Sequence, residues 1–203
     1  MRALIVGGCG FVGLNIAEAL LRRGDDAVLF DANPLHPVAE AAFQALPGGF
    51  TVQLGDVRDP ASVAAAFADH EIDAVFYGAA MTSGPERERE APAQVLQVNL
   101  LGLVNVIKAA AAAGGVGRII NIGSGSAYGR HRQEGKGVVL EEVTPSEPES
   151  LYGISKLATE AVSRRLAGLL ELDIRSVRLA AVYGPWEIDS GARDTLSPLM
   201  QAG

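Results

Sequence analysis

The chain of 203 residues holds a single cysteine, so no disulfide can form within it, and Cys9, set among glycines, reads as a residue tolerated for its small size. Histidine is almost as scarce. His36, His70 and His131 stand apart with no partner at metal-ligand spacing, which argues against a zinc site, and no metal is expected. Positive charge is short as well: 17 Lys and Arg against 24 Asp and Glu leave a formal net charge of −7 with no basic cluster. Neither nucleic acid nor an anionic membrane is therefore an expected partner. The start, Met1 to Val6, is apolar for only a few residues, too short for a secretory core or a membrane span. These absences make a soluble protein of a reducing compartment, the cytoplasm, the expectation. No internal repeat of fixed period is visible, and 203 residues at 48% hydrophobic suit one well-buried core better than two full domains.

What the chain does have is a short apolar strand, Arg2-Ala3-Leu4-Ile5-Val6, running into Gly7-Gly8-Cys9-Gly10-Phe11-Val12-Gly13 and then into a helix. Glycines spaced by three after a strand are the layout of a dinucleotide-binding turn. Gly7 would let the chain turn sharply, Gly10 would let the backbone approach a pyrophosphate, and Gly13 would let the helix lie close on the strand. The helix N-terminus then offers N–H groups and a partial positive charge to the phosphates. In a chain with 24 glycines the motif alone could be an ordinary tight turn. Its context speaks against that, because Val28-Leu29-Phe30-Asp31 reads as a second strand ending in an acid, where an adenosine ribose needs a carboxylate. Asp31 would repel a 2′-phosphate, so NAD is expected over NADP.

Helical spacing over residues 11–23 stops at Gly24, a second helix is expected up to residue 46, and a third strand at 51–54. Asp56 and Val57 follow that strand. Asp56 reads equally as an acceptor for an adenine amino group and as a charge at the start of the helix over 61–69. A fourth strand at 73–77 leads into Gly78, Ala79 and Ala80, small residues where a cofactor would meet the sheet. The alternating charges at 85–90 look like a solvated loop or helix start with no functional role. The longest apolar periodic stretch covers 91–113, with Asn99 its one amide among apolar neighbours. A buried amide must find a partner, and bracing a neighbouring strand is its expected job.

Strand five at 118–122 is followed by Gly123 and Ser124, and a loop over 127–150 separates it from a helix over 151–172, with Ser150 as N-cap, and a sixth strand at 174–180. Gly135-Lys136 in that loop fails as a phosphate loop, since Arg130 stands where the first glycine should be, and Ser124 lacks the glycine two residues earlier that a hydrolase elbow needs. Six strands alternating with helices predict an α/β fold, a Rossmann-type doubly wound parallel sheet with right-handed crossovers.

Tyr152 and Lys156 stand four apart on the 151–172 helix and so share a face, about 6 Å apart along the axis. An ammonium beside a phenol favours the phenolate, which could take a proton from a substrate hydroxyl, with Ser124 donating a hydrogen bond to the same oxygen. A tyrosine and a lysine so spaced are also commonplace on helix surfaces.

Taken together these residues resemble the extended short-chain dehydrogenase/reductases, specifically the NAD-dependent epimerase/dehydratase group that acts on nucleotide sugars. The resemblance covers residues 1–185. It is carried by the glycine turn, Asp31, Gly55-Asp56-Val57-Arg58-Asp59, Val98-Asn99-Leu100-Leu101-Gly102, Ser124 ahead of Tyr128-Gly129, Tyr152-Gly153-Ile154-Ser155-Lys156, and Arg178 with Val182-Tyr183-Gly184-Pro185. It implies NAD as cofactor, Ser124, Tyr152 and Lys156 as the catalytic set, and cofactor contacts from Gly7, Gly10, Phe11, Val12, Gly13, Asp31, Asp56, Val57, Gly78, Ala79, Ala80 and Asn99 as well as Tyr152 and Lys156. In that family the tyrosine removes a hydroxyl proton while hydride leaves the same carbon, and the lysine also bonds the nicotinamide ribose. Members that dehydrate sugars carry an acid right after the serine position, whereas this chain has Gly125 and Ser126, so an epimerase or simple alcohol oxidoreductase is expected over a 4,6-dehydratase. A homodimer through the helices at 91–113 and 151–172 is implied too.

The family continues well past Pro185 into a substrate domain. Residues 1–185 are accordingly expected to form the NAD-binding domain and 186–203 the start of an incomplete substrate-binding region, with Leu196, Leu199 and Met200 on one helical stripe after Pro198. The substrate is expected to be a nucleotide sugar. A smaller alcohol or ketone, or NAD binding without turnover, remain as alternatives.

Overall fold

The structure is a computed structural model that describes residues 1–130, 139–141 and 143–187. Six parallel strands, β1 (Arg2–Val6), β2 (Asp26–Asp31), β3 (Phe50–Leu54), β4 (Ala74–Tyr77), β5 (Arg118–Ser124) and β6 (Ile174–Leu179), form one sheet in the order β3-β2-β1-β4-β5-β6. The order reverses between β1 and β4, and in such sheets the crevice beyond the carboxyl ends at the reversal is where ligands bind.

The apolar continuity of β1 follows from its having both faces covered. Leu4 and Val6 enter one core layer with Val75, Tyr77 and Leu103, while Ala3 and Ile5 enter the other with Leu14, Leu21 and Phe43. Each of these β1 residues is at most 1% exposed, and each fully buried aliphatic side chain of this size contributes about 1.5–3 kcal/mol. Among the described residues β3 and β6 are the outermost strands, and Thr51 and Gln53 on the first and Arg175, Ser176 and Arg178 on the second give them the polar character of sheet edges.

Helix α1 (Phe11–Arg22) and α2 (Pro37–Gln44) cover one face; α3 (Pro60–Ala68) packs on the other. His36 caps α2 through its Nδ1, which accepts the Val38 N–H, and Asp59 caps α3 by accepting the Ala61 N–H. The charged run at 85–90 forms a short helix, α4 (Pro85–Glu90). The apolar stretch after it is α5 (Pro92–Leu96), one π-helical turn (Gln97–Leu101) and α6 (Gly102–Ala113). By length and composition Pro92–Ala113 would suffice to cross a membrane, but Leu103, Val106, Ile107 and Ala110 are wholly buried against α3 and the sheet. A single 3₁₀ turn (Gly125–Tyr128) follows β5, and α7 (Leu151–Leu170) ends on Glu171 in the left-handed conformation at φ 54°.

After β6 the chain crosses to α1, where Asn15 Nδ2 donates to the Pro185 carbonyl oxygen at 2.7 Å and the Trp186 indole N–H donates to Glu18 at 2.6 Å. The Trp186 ring stands edge-on to Phe43, 5.6 Å between centroids. The helix expected around Leu196, Leu199 and Met200 lies outside the described residues.

Candidate active site

A cleft of about 470 Å³ opens at the carboxyl ends of the strands, on the reversal between β1 and β4. Its floor is the turn after β1, and the glycines there have different reasons to be glycine. Gly7 sits at φ +79°, and a Cβ on it would come within 2.7 Å of the Ala79 backbone nitrogen. A Cβ on Gly13 would lie 2.2 Å from the Gly7 carbonyl oxygen. Gly10, at φ −85°, would meet only that same oxygen, at 3.4 Å. The protein itself thus demands Gly7 and Gly13, while the space above Gly10 is left on the cleft side. No side-chain hydrogen bond caps α1 and no acid stands in its first turn, so the positive end of its dipole is not neutralised locally.

Asp31 closes the β2 side of the cleft. Its carboxylate accepts the Cys9 N–H at 3.0 Å and the Asn33 N–H at 3.0 Å, which fixes its rotamer toward the glycine turn. Burial raises its pKa above the ordinary value, and the hydrogen bonds from Asn33 and Cys9 oppose that rise. The Cys9 thiol is pushed up to about 12, by burial first and by Asp31 second, so it stays protonated and unreactive. Asp56 and Val57, which follow the neighbouring strand β3, also line the cleft. Both carboxylate oxygens of Asp56 accept from Arg58, with the Nε contacts at 3.0 and 2.9 Å, and this holds the Asp56 carboxyl below the usual range. The start of α3 is capped by Asp59, not Asp56. Asn105 Nδ2 donates to the Val57 carbonyl oxygen at 2.8 Å and pins this loop to α6.

Of the other residues expected at a cofactor, Gly78, Ala79 and Ala80 form the wall beyond β4, and Gly7, Gly10 and Phe11 line the floor. Val12, Gly13 and Asn99 do not line the cleft. Val12 is half-buried one position past Phe11, and Gly13 is buried beneath the turn. Asn99, expected as a cofactor contact, is wholly buried, and its side chain is paired within the protein. Its Oδ1 accepts the Met81 N–H at 2.7 Å, and its Nδ2 donates to the Met81 carbonyl oxygen at 3.1 Å and to Ser155 Oγ at 3.0 Å. Such pairing offsets the desolvation of a buried amide, so Asn99 shapes the cleft by holding Met81, which lines it. The π turn beside it leaves the Val98 carbonyl oxygen to accept the Tyr77 hydroxyl at 2.6 Å.

Ser124, Tyr152 and Lys156 lie on the β5 side, outside the cleft wall proper. Gly78 joins the two regions, since a Cβ there would touch Ile122 Cγ1 at 4.0 Å. The Lys156 ammonium donates to the Ile122 carbonyl oxygen at 2.9 Å and sits 5.7 Å from the centroid of the Tyr152 ring. Only 2% of Lys156 is exposed, and burial brings its pKa down to about 8, which leaves it mostly charged at neutral pH. Ser124 Oγ accepts the Ser126 N–H at 3.1 Å, so its own proton stays available for donation. Ser150 caps α7 by accepting the Gly153 N–H at 3.1 Å.

The sequence reading missed Glu88. It accepts the Leu151 N–H at 2.7 Å and the Ser83 hydroxyl at 3.1 Å, so a residue from the charged run also caps the helix that carries Tyr152. Its only local signal was an acid in a helix start of otherwise balanced charge.

The sequence model of the NAD dependent epimerase/dehydratase family matches residues 3–201. UDP-glucuronate 4-epimerase 3 of Arabidopsis thaliana is 31% identical over 188 residues, which are 90% of this chain and 43% of the plant protein. UDP-glucose 4-epimerase of Neisseria gonorrhoeae is 30% identical over 91% of this chain and 53% of its own length. Among solved structures, the UDP-glucose 4-epimerase of Thermus thermophilus, in complex with NAD, superposes with a TM-score of 0.77 at 31% identity, covering 91% of this chain and 57% of that one. MoeE5, in complex with UDP-glucuronic acid and NAD, gives a TM-score of 0.77 at 27% identity over 94% of this chain and 58% of its own. The chain thus spans about half the length of the relatives it matches. With the parallel six-stranded sheet, the glycine turn and the Tyr152–Lys156 pair in the places described, the chain belongs to the NAD dependent epimerase/dehydratase family.

Proposed function

We propose that this chain binds NAD in the cleft and acts on a hydroxyl-bearing carbon of a nucleotide sugar, as an epimerase. The observation that carries the reading is the buried Lys156 ammonium, held on the Ile122 carbonyl at the end of β5 and 5.7 Å from the Tyr152 ring.

The residues fit NAD. The space over Gly10 at the uncapped start of α1 suits a pyrophosphate, Asp31 suits the adenosine ribose hydroxyls, and the Asp56–Val57 wall suits the adenine. NAD, when bound, supplies a reversible hydride acceptor. The chain's own part is proton transfer and orientation. Lys156 places a positive charge beside the phenol and favours its ionised form, Tyr152 takes the proton from the substrate hydroxyl, and Ser124 donates a hydrogen bond to the same oxygen. Lys156 must stay protonated for this, which its pKa of about 8 allows at neutral pH.

Gly125 and Ser126 in place of an acid after Ser124 support an epimerase over a dehydratase. A homodimer is part of the proposal: Leu101 in the π turn and Ile154 on α7 are 53% and 44% exposed on the two helices expected to pair.

Incubating the purified chain with NAD and a panel of UDP- and dTDP-sugars and small alcohols, with product analysis by chromatography, tests the reading. An inverted sugar supports it, and oxidation of a small alcohol alone replaces it with a dehydrogenase. Saturable NAD binding with no product anywhere marks a binding module.

A further inference from the structure

The proposed chemistry needs Ser124, at the end of β5, and Tyr152, on α7, to meet at one substrate oxygen, and something has to set their separation. The turn after Ser124 packs against α7, and there a Cβ on Gly153 would lie 2.7 Å from the Ser126 carbonyl oxygen. A second contact lies on β6. Arg178 grips Glu160 with two hydrogen bonds of 2.7 Å, and its guanidinium also lies 4.2 Å from the centroid of the Tyr128 ring.

Glu160 follows Tyr152 and Lys156 on the same face of α7, two turns beyond the first and one beyond the second. Tyr128 ends the 3₁₀ turn that starts beside Ser124. Glu160 is 7% exposed and Tyr128 9%, so the cluster is largely withdrawn from solvent, where a forked guanidinium holds its geometry best. Gly123, just before Ser124, lets β6 lie close on β5, since a Cβ there would fall 2.7 Å from the Val177 carbonyl oxygen.

We infer that Arg178 is a positioning residue, a strut from β6 that locks the Ser124 turn, through Tyr128, to the helix of Tyr152 and Lys156, through Glu160. Arg178 does not line the cleft. The inference rests on the epimerase reading for its catalytic meaning, but the strut itself is a property of the free protein.

The bland role for such a group is stability alone, and the two separate in the double variant Glu160→Gln/Arg178→Met. Removing both charges leaves no buried charge unpaired, so the double variant keeps most of its thermal stability. If Arg178 positions the site, kcat on the responsive nucleotide sugar falls by roughly 10- to 100-fold while KM and NAD affinity stay within about twofold. The Lys156 ammonium, followed by nitrogen-15 NMR, then also titrates higher than in the unsubstituted chain, because a loosened α7 lets water reach it. Unchanged kcat and an unchanged Lys156 titration in the folded double variant overturn the inference. The NMR reading requires no turnover, so it decides the strut even if the chain acts on no nucleotide sugar, an outcome that would sink the epimerase reading alone. Should the double variant not fold, the single Glu160→Gln, which keeps the side-chain shape, is judged by the same two readings.

Discussion

Lys156 Nζ and the Ile122 carbonyl oxygen, 2.9 Å apart and both buried, tie the first half of α7 to the end of β5 across 34 residues of sequence. Ile122 stands two residues before Ser124, so this one bond holds Tyr152's helix over the strand that ends in Ser124. An ammonium with one carbonyl partner in an apolar setting is only partly compensated for its lost water, which is why burial draws its pKa down.

That depression sets a pH dependence of stability. Unfolded, the lysine holds its proton up to its ordinary 10.5; folded, only to about 8. Below 8 both states are charged and the fold bears the full cost of the buried ammonium. Between 8 and 10.5 the unfolded state binds more protons, so the wild-type chain gains stability as pH rises through this window. Lys156→Met lacks the effect. Urea unfolding at several pH values should therefore show the wild-type stability rising relative to the variant by up to about 3 kcal/mol. A constant difference across the window would place the ammonium in water.

Gly10→Ala and Gly13→Ala should part company. Gly10 has an ordinary negative φ and no protein atom closer than 3.4 Å to the place a methyl group would take, so its alanine variant should fold with an unchanged Tm and bind NAD at least about tenfold more weakly. Gly13→Ala would drive a methyl to 2.2 Å from the Gly7 carbonyl and should destabilise the fold itself by about 1–3 kcal/mol. Thermal melts and NAD titration, read by the fluorescence of Trp186, the only tryptophan and part of the cleft wall, measure both.

Asp31 should make the chain prefer NADH over NADPH, since its carboxylate, aimed at the glycine turn, would repel a 2′-phosphate. Arg58, a cation that also lines the cleft, is already held by Asp56. Because burial raises the Asp31 pKa, its proton is retained to a higher pH than an ordinary aspartate's, and NAD affinity should weaken as pH falls through that raised value. Equal or tighter binding of NADPH by calorimetry refutes the assignment.

Tyr152→Phe removes one oxygen and should abolish turnover while leaving NAD affinity nearly unchanged, whereas Lys156→Met should impair both. Rates in single-turnover assays, set beside NAD titration, distinguish the two. A Tyr152→Phe protein that keeps more than a small fraction of wild-type rate would assign the proton transfer to another group.

The strand and helix succession, the glycine turn, Asp31 and the Tyr152–Lys156 pair were legible in the sequence because each rests on short-range rules. Alternation by two, recurrence by three or four, and the close approach of Gly13 to Gly7 are decided within a few residues of the chain. What only the tertiary structure decided is which polar groups find each other across distance. Asn99 could not be known to spend its amide on Met81 and Ser155, nor Glu88 to cap a helix 63 residues away. Arg178 was visible as part of a motif, yet its grip on Glu160 and its place over Tyr128 depend on β6 lying beside β5 with α7 packed across them. Such partnerships arise because burial makes an unpaired polar group costly, and the choice of partner is made by packing, which sequence spacing does not encode.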